Sequence, residues 1–444
     1  MAQQSIKKLF LSASIAAALA VSGSAFGDGT STEDLEARIA ELEALVQQML
    51  NQQAAPKKDD CCADAEAATA AAEEKFNAMM AEHKAAVAEQ EHKHSYAFGG
   101  YIKLDSIYSD YSAGSSSGAG RDFYIPGTIP VGSGDGESYL DFHAKESRVN
   151  FKSTHNLDNG SKIVTFFEMD FHLSGQGDER ISNSYAPRVR HAFFTYNKWL
   201  FGQTWMTFFN VGALPENLDF VGPAESTVFG RQAMIRYTSG SWQFAAENPE
   251  TTITPYGGGG RIVADDNRVP DLVARFSFGS FTATGMLREL RYDNNAGISD
   301  STSGWGVSLS GKHMIGSRDD FRWMATAGSG LGRYVGLNTT NDAVLDANGN
   351  LEAIDQMSIF GSYRHFWNDA WRSNLTLGYL SIDNDTALTG MGATSDASSF
   401  HVNLIYSPVP KMDFGVELMY ADREIESGAD GDMTRLQFSA KYAF

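Results

Sequence analysis

The feature that most constrains this chain is a two-residue period running from Tyr96 to the last residue. In the final segment Leu436, Phe438, Ala440, Tyr442 and Phe444 alternate with Gln437, Ser439, Lys441 and Ala443. Met412, Phe414, Val416, Leu418 and Tyr420 alternate with Asp413, Gly415 and Glu417, and Phe400, Val402, Leu404 and Tyr406 with His401 and Asn403. The same pattern sets Ile163, Thr165, Phe167, Met169 and Phe171 against Glu168 and Asp170, and Trp242, Phe244 and Ala246 against Gln243 and Glu247. Successive side chains of a strand point to opposite faces, so each segment reads as a strand with one apolar and one polar face. A soluble sandwich alternates too. Here the polar face carries charge in many strands. The apolar face carries aromatics toward strand ends, such as Trp305, Tyr379, Tyr406, Tyr420 and Tyr442. Lipid outside, water inside and aromatic girdles at the interfaces predict that combination.

The expected fold is an all-β transmembrane barrel. About sixteen antiparallel strands are expected, centred near 104, 150, 167, 192, 202, 234, 245, 275, 285, 308, 325, 359, 376, 403, 416 and 440. Connections alternate between short (Asn197-Lys198, Ser407 to Lys411) and long (Ser109 to Lys145, Tyr292 to Gly304, Ser381 to Ser399). Short turns on one side and long loops on the other give that rhythm. An even strand count closes with both termini on one side, and sixteen strands leave an aqueous lumen. A last strand ending in Phe also resembles the recognition signal of outer-membrane barrels.

Ahead of the barrel the pattern differs. Lys7 and Lys8 precede an uncharged run from Leu9 to Val21, followed by Ser22, Gly23, Ser24, Ala25, Phe26 and Gly27. That is an export signal over 1–27, cut after Ala25 or Gly27, and too short to span a bilayer as a helix. Residues 28–53 read as a coiled-coil helix. Ser31 and Asp34 form a capping box, and Leu35, Ile39, Leu42, Val46 and Met49 make a heptad seam. β-Branched residues at a with Leu at d lean toward dimers, so the seam alone does not set the copy number. Residues 54–95 read as an Ala/Glu-rich periplasmic linker. Its Cys61-Cys62 pair can bridge chains or stay unpaired, and its His83, His92 and His94 read as linker rather than as a metal site. The barrel domain occupies 96–444.

Composition narrows the partners. Across 444 residues, 35 Lys and Arg face 55 Asp and Glu, a formal charge of −20. That acidity argues against nucleic acid, which needs a basic face. A mean hydropathy of −0.28 excludes a bundle of membrane helices.

The chemistry is expected on the inner face. Arg148, Arg188, Arg190, Arg236, Arg275 and Arg288 fall on the polar phase, while Arg231 falls on the other phase directly after a long loop. A fixed charge and a fork of donors suit a carboxylate, so the six are the candidate selectivity residues for anions. The alternative is that each braces the wall against an acid such as Glu168, Asp170 or Glu247. The segment 206–229 breaks the rhythm with Pro215, Pro223, Phe208, Phe209, Phe220 and Phe229. A loop this apolar does not stay in water, so it is expected to fold into the barrel and narrow the pore, the alternative being an outer loop packed on a neighbouring subunit.

Several stretches are familiar. Phe123 to Pro130, Glu179 to Tyr185, Arg190 to Phe194, Leu200 to Trp205, Leu214-Pro215-Glu216, Val221 to Glu225 and Glu247 to Thr252 resemble the DcaP-like outer-membrane porins. The heptad helix is similar to that family's too. The resemblance implies a homotrimer of sixteen-stranded channels with a periplasmic coiled-coil extension, in the outer membrane of a Gram-negative bacterium. It implies passive diffusion of small anions such as dicarboxylates, with lipid as surroundings and no cofactor or catalysis. It supplies no ligand set. An enzyme inside a barrel would need a nucleophile beside its base, and the expectation is none. A structural tether, with the helix on the cell wall and the barrel as anchor, is the other reading. Conductance separates the two, because an anchor needs no open lumen.

Overall fold

The computed structural model describes residues 75–80, 93–116, 118–173 and 177–444. Two units divide the chain, 1–87 and 88–444. In the first, residues 75–80 are helical. The expected signal, the heptad helix, Cys61, Cys62, His83 and His92 lie outside the described residues, as does the linker apart from 75–80 and 93–95.

The second unit is a closed antiparallel barrel of sixteen strands. They are β1 (His94–Tyr111), β2 (Ser138–His143 and Arg148–Asn156), β3 (Lys162–Asp170), β4 (Arg188–Tyr196), β5 (Trp199–Trp205), β6 (Arg231–Ser239), β7 (Trp242–Glu247) and β8 (Asp271–Phe278). There follow β9 (Phe281–Asp293), β10 (Ser299–Ile315), β11 (Asp319–Ser329), β12 (Asp355–Phe366), β13 (Trp371–Asp383), β14 (Thr394–Val409), β15 (Met412–Ile425) and β16 (Asp430–Ala443). Each strand pairs with its sequence neighbour, and β1 pairs with β16 from Tyr101↔Ala443 to Tyr111↔Met433, which closes the cylinder. Each of the expected strand centres falls inside one of these strands. Closure leaves no sheet edge unpaired, as a hydrocarbon environment requires.

Burial is inverted relative to a water-soluble protein. On β9 and β10, Leu287, Trp305 and Leu309 are 65%, 48% and 53% exposed, whereas Arg288, Ser308 and Ser310 are 3%, 3% and 2% exposed. The strand phase therefore puts apolar side chains outside and polar ones inside. Aromatic pairs gather outside the short turns: Trp371 stacks on Tyr406 at 4.6 Å, and Trp242 lies 4.7 Å from Phe276.

Two features depart from the sequence reading. The connection near Tyr292 is short, because β9 and β10 run on past the expected boundary and pair to Asp293↔Ser299. The lumen is also not simply water-filled. Val273, Met286, Met324 and Phe360 take inward positions and pack with Phe208, Phe209 and Val228 of loop 206–230 and with Leu331, Tyr334 and Val335 of loop 330–354. A second cluster joins Phe123, Tyr124 and Ile129 of the loop after β1 to Val221, Met419 and Met433. These loops carry too much apolar surface to stay in water, and the barrel interior is where they bury it.

In β2, residues 144–147 leave the ladder as a bulge. The Ser147 hydroxyl takes the place of the missing partner, accepting from the Lys103 N–H at 3.0 Å and donating to the Lys103 carbonyl at 3.2 Å. The bulge turns Glu146 inward, where Tyr101 donates to it at 2.7 Å and Lys103 pairs with it.

Candidate functional site: the arginine-lined lumen

Loop 206–230 crosses the lumen and is held from several walls. On β15, Glu417 accepts from the Leu218 N–H at 2.8 Å, the Asp219 N–H at 3.3 Å and the Asn217 amide at 3.1 Å. On β7, Glu247 accepts from the Thr207 N–H at 2.7 Å. The Asn210 amide reaches Ser310 on β10 at 2.9 Å, and Lys103 on β1 donates to the Leu218 carbonyl at 2.7 Å. The loop's Glu216 pairs with Arg372 at 2.6 Å and Arg364 at 2.9 Å. Burial alone would raise the Glu216 carboxyl, but bonds from Arg372 and Arg364 outweigh it and hold the group below the usual range. The clamp is therefore complete at neutral pH and is lost only as pH falls through that depressed value. Burial pushes the Glu225 carboxyl up instead, against the opposing pull of the His401 ring and of the bond from Ser399.

The six arginines expected to line the pore fall into three groups. Arg148, Arg188 and Arg190 share one wall with Glu146, Glu168 and Asp170. Arg188 forks onto Asp170 through two 2.9 Å bonds. Arg190 bonds Glu168 at 2.7 Å and Asp170 at 2.5 Å, lies under the Phe220 ring and is 1% exposed. Arg148 sits 3.6 Å from Glu168. Here the bracing alternative describes the contacts: cation and carboxylate are matched. Arg288 is buried as well. It bonds Asp342 and the Gly330 carbonyl at 2.8 Å each, lies 3.5 Å from Asp271, and so ties loop 330–354 to β8 and β9.

Arg236 and Arg275 form the third group. Arg275 donates to the Phe209 carbonyl at 2.9 Å and to Asn210 at 3.1 Å. Arg236 reaches the Trp205 carbonyl at 3.4 Å and Thr207 at 3.5 Å. Among the described residues neither forms an ion pair, and both line a hollow of about 280 Å³ under the loop. Arg231, on the other phase, is likewise outside any ion pair among the described residues, with its guanidinium 3.8 Å above the centre of the Trp205 ring.

Sequence reasoning passed over a further set. Arg322, Arg364 and Arg372 face inward beside Glu216, Asp320 and Asp413. Each follows an outward aromatic (Phe321, Tyr363, Trp371) near a short turn, so the phase rule that found the other six could have found these. They stand at the same end of the barrel as Arg236 and Arg275. Gly114 to Gly118 spells Gly-x-Ser-x-Gly around Ser116, but Ser116 is buried in the loop after β1, and its hydroxyl has no hydrogen-bond partner among the described residues.

The profile of the DcaP outer membrane protein family matches residues 30–444. Among solved structures, the outer membrane channel DcaP of Acinetobacter baumannii superposes with a TM-score of 0.64 at 22% identity, covering 80% of this chain and 98% of that one. Outer-membrane expressed OmpT of Vibrio cholerae gives 0.49 at 12% identity over 79% and 98%. An anion-selective porin from Comamonas acidovorans gives 0.46 at 12% identity over 79% and 100%. A search of curated proteins returns no match. With a closed sixteen-stranded barrel, a lumen crossed by its own loop and a family profile spanning nearly the whole sequence, this chain belongs to the DcaP outer membrane proteins, a family of outer-membrane channels.

Proposed function

We propose that the protein is a porin passing small anionic solutes, dicarboxylates among them, as a homotrimer in a Gram-negative outer membrane, with its short turns and N-terminal extension on the periplasmic side. The observation that carries this reading is the pair Arg236 and Arg275, lumen cations outside any ion pair among the described residues. Two unit charges ~4 Å apart interact by ~4 kcal/mol at an effective dielectric of about 20, so a few such guanidinium groups disfavour cations. Water and a Debye length of ~8 Å at physiological salt weaken this, and the preference is moderate and falls as salt rises. A dicarboxylate gains more than a monocarboxylate because separate guanidinium forks can hold its two ends.

The test is the single-channel reversal potential under a salt gradient. The unmodified channel should prefer anions, and changing Arg236 and Arg275 together to Ala should move the potential toward the cation side. A cation preference in the unmodified channel would mean that the lumen acids prevail and would overturn the reading. Copy number is tested separately. Native mass measurement of detergent-extracted protein should give three chains, and a stable monomer would refute the trimer.

A further inference from the structure

The hollow beneath loop 206–230 has the chemistry of a ligand site. It encloses about 280 Å³ and reaches the turn between β6 and β7 at Gly240 and Ser241. Pockets for drug-sized ligands run from roughly 300 to 1,000 Å³, so a solute with one ring is the size that fits. Trp205 and Phe209 form an aromatic wall, their rings meeting edge to face at 5.3 Å. Arg236 and Arg275 supply the charge. Arg275 spends part of its donor fork on Phe209 and Asn210, and Arg236 part of its own on the Trp205 carbonyl and Thr207; neither forms an ion pair among the described residues, although the Glu247 carboxylate acts on Arg236 from beyond contact distance. A guanidinium has five N–H donors, so both keep donors for an incoming oxyanion. Gln243 also lines the hollow, and its buried carbonyl oxygen has no hydrogen-bond partner among the described residues. A buried acceptor left unmade is costly, and a ligand hydroxyl would satisfy it.

We infer that this hollow is a binding subsite for a compact hydroxylated aromatic carboxylate. The carboxylate meets Arg236 and Arg275, the ring lies against Trp205 and Phe209, and the ring hydroxyl donates to Gln243. The inference rests on the anion reading above and adds a site where one class of anion pauses. A solute held there interrupts the flow of chloride, so the site is read as block of current.

The experiment applies 4-hydroxybenzoate, benzoate, cyclohexanecarboxylate and acetate to the short-turn side of single channels conducting chloride. The expected order of block is 4-hydroxybenzoate, then benzoate, then cyclohexanecarboxylate, with acetate weakest. Arg275→Gln should raise the half-blocking concentration of 4-hydroxybenzoate by about tenfold, as expected for a lost charged hydrogen bond. Because Arg275 also holds the Phe209 carbonyl, Gln243→Leu serves as the second variant. It should bring 4-hydroxybenzoate level with benzoate. Equal block by all four acids, or an order indifferent to both substitutions, overturns the subsite. The reversal potential of the unmodified channel keeps the two ideas apart. Anion preference without aromatic block ends the subsite alone, whereas cation preference ends the anion reading itself.

Discussion

Replacing Glu417 with Ala is expected to release loop 206–230 from the β15 wall and to raise single-channel conductance and current noise together. Glu417 is 1% exposed. It gathers donors from Leu218, Asp219 and Asn217 of the loop, from Asn403 at 2.9 Å, and from the His401 ring, whose Nδ1 lies 3.3 Å away. Removing the carboxylate leaves these donors buried without an acceptor. Breaking a buried charged contact from one side costs about 3–5 kcal/mol. Glu417→Gln keeps one carbonyl acceptor and should loosen the loop less. Both are read as conductance and as the temperature at which folded migration on a gel is lost. Unchanged conductance and unchanged heat resistance in the Ala variant would show that the loop is held elsewhere.

Arg288→Met is expected to be the most destabilising change among the lumen arginines. The Arg288 side chain is shut off from solvent, as are the Asp271 and Asp342 side chains beside it. Without the guanidinium, two buried carboxylates stand near each other with Arg333, 3.8 Å from Asp271, as the remaining cation beside them among the described residues, and the Gly330 and Glu250 carbonyls lose a donor. The expected cost is again about 3–5 kcal/mol, seen as a large fall in the temperature of heat-modified migration, whereas Arg236→Gln should shift it little. Coupling is the diagnostic. Arg288→Met with Asp342→Asn should cost less than the two changes summed, because the second removes a charge that the first strands. Additive losses would mean that Arg288 and Asp342 do not act as a pair.

The same two residues show how far the sequence could be read. Strand phase put Arg288 inside correctly, because alternation is a local property of the backbone. Its partner Asp342 lies 54 positions away on an irregular loop, and no periodicity reports where such a loop docks. Arg190 shows a second limit. It lies on the inward phase as expected, yet a register shift between Glu168 and Met169 brings Asp170 opposite Arg188 and lets Arg190 reach both acids. One bulge thus changes an exposed lumen charge into a buried brace. Arg236 and Arg275 share the inward phase of Arg190 but stand in regular pairing with no acid in contact, which is a three-dimensional fact. The strands themselves were legible because sixteen amphipathic segments repeat one rule, with small shifts at their ends.

The way loop 206–230 is fastened has a consequence for how such channels change over evolutionary time. Many of its anchors grip main-chain atoms. The N–H groups of Thr207, Leu218 and Asp219 and the carbonyls of Phe209, Leu214, Leu218 and Ser226 are met by side chains of Glu247, Glu417, Arg275, Arg322, Lys103, Gln437 and Ser358. The instructions for the loop's position are therefore written largely in the barrel wall, and the loop answers with main-chain atoms that every amino acid supplies, save the N–H that proline lacks. Substitutions along the loop can alter the filter without unseating it. Descendants of one barrel can diversify their permeants cheaply, and an engineer can graft a new loop sequence onto an unchanged wall.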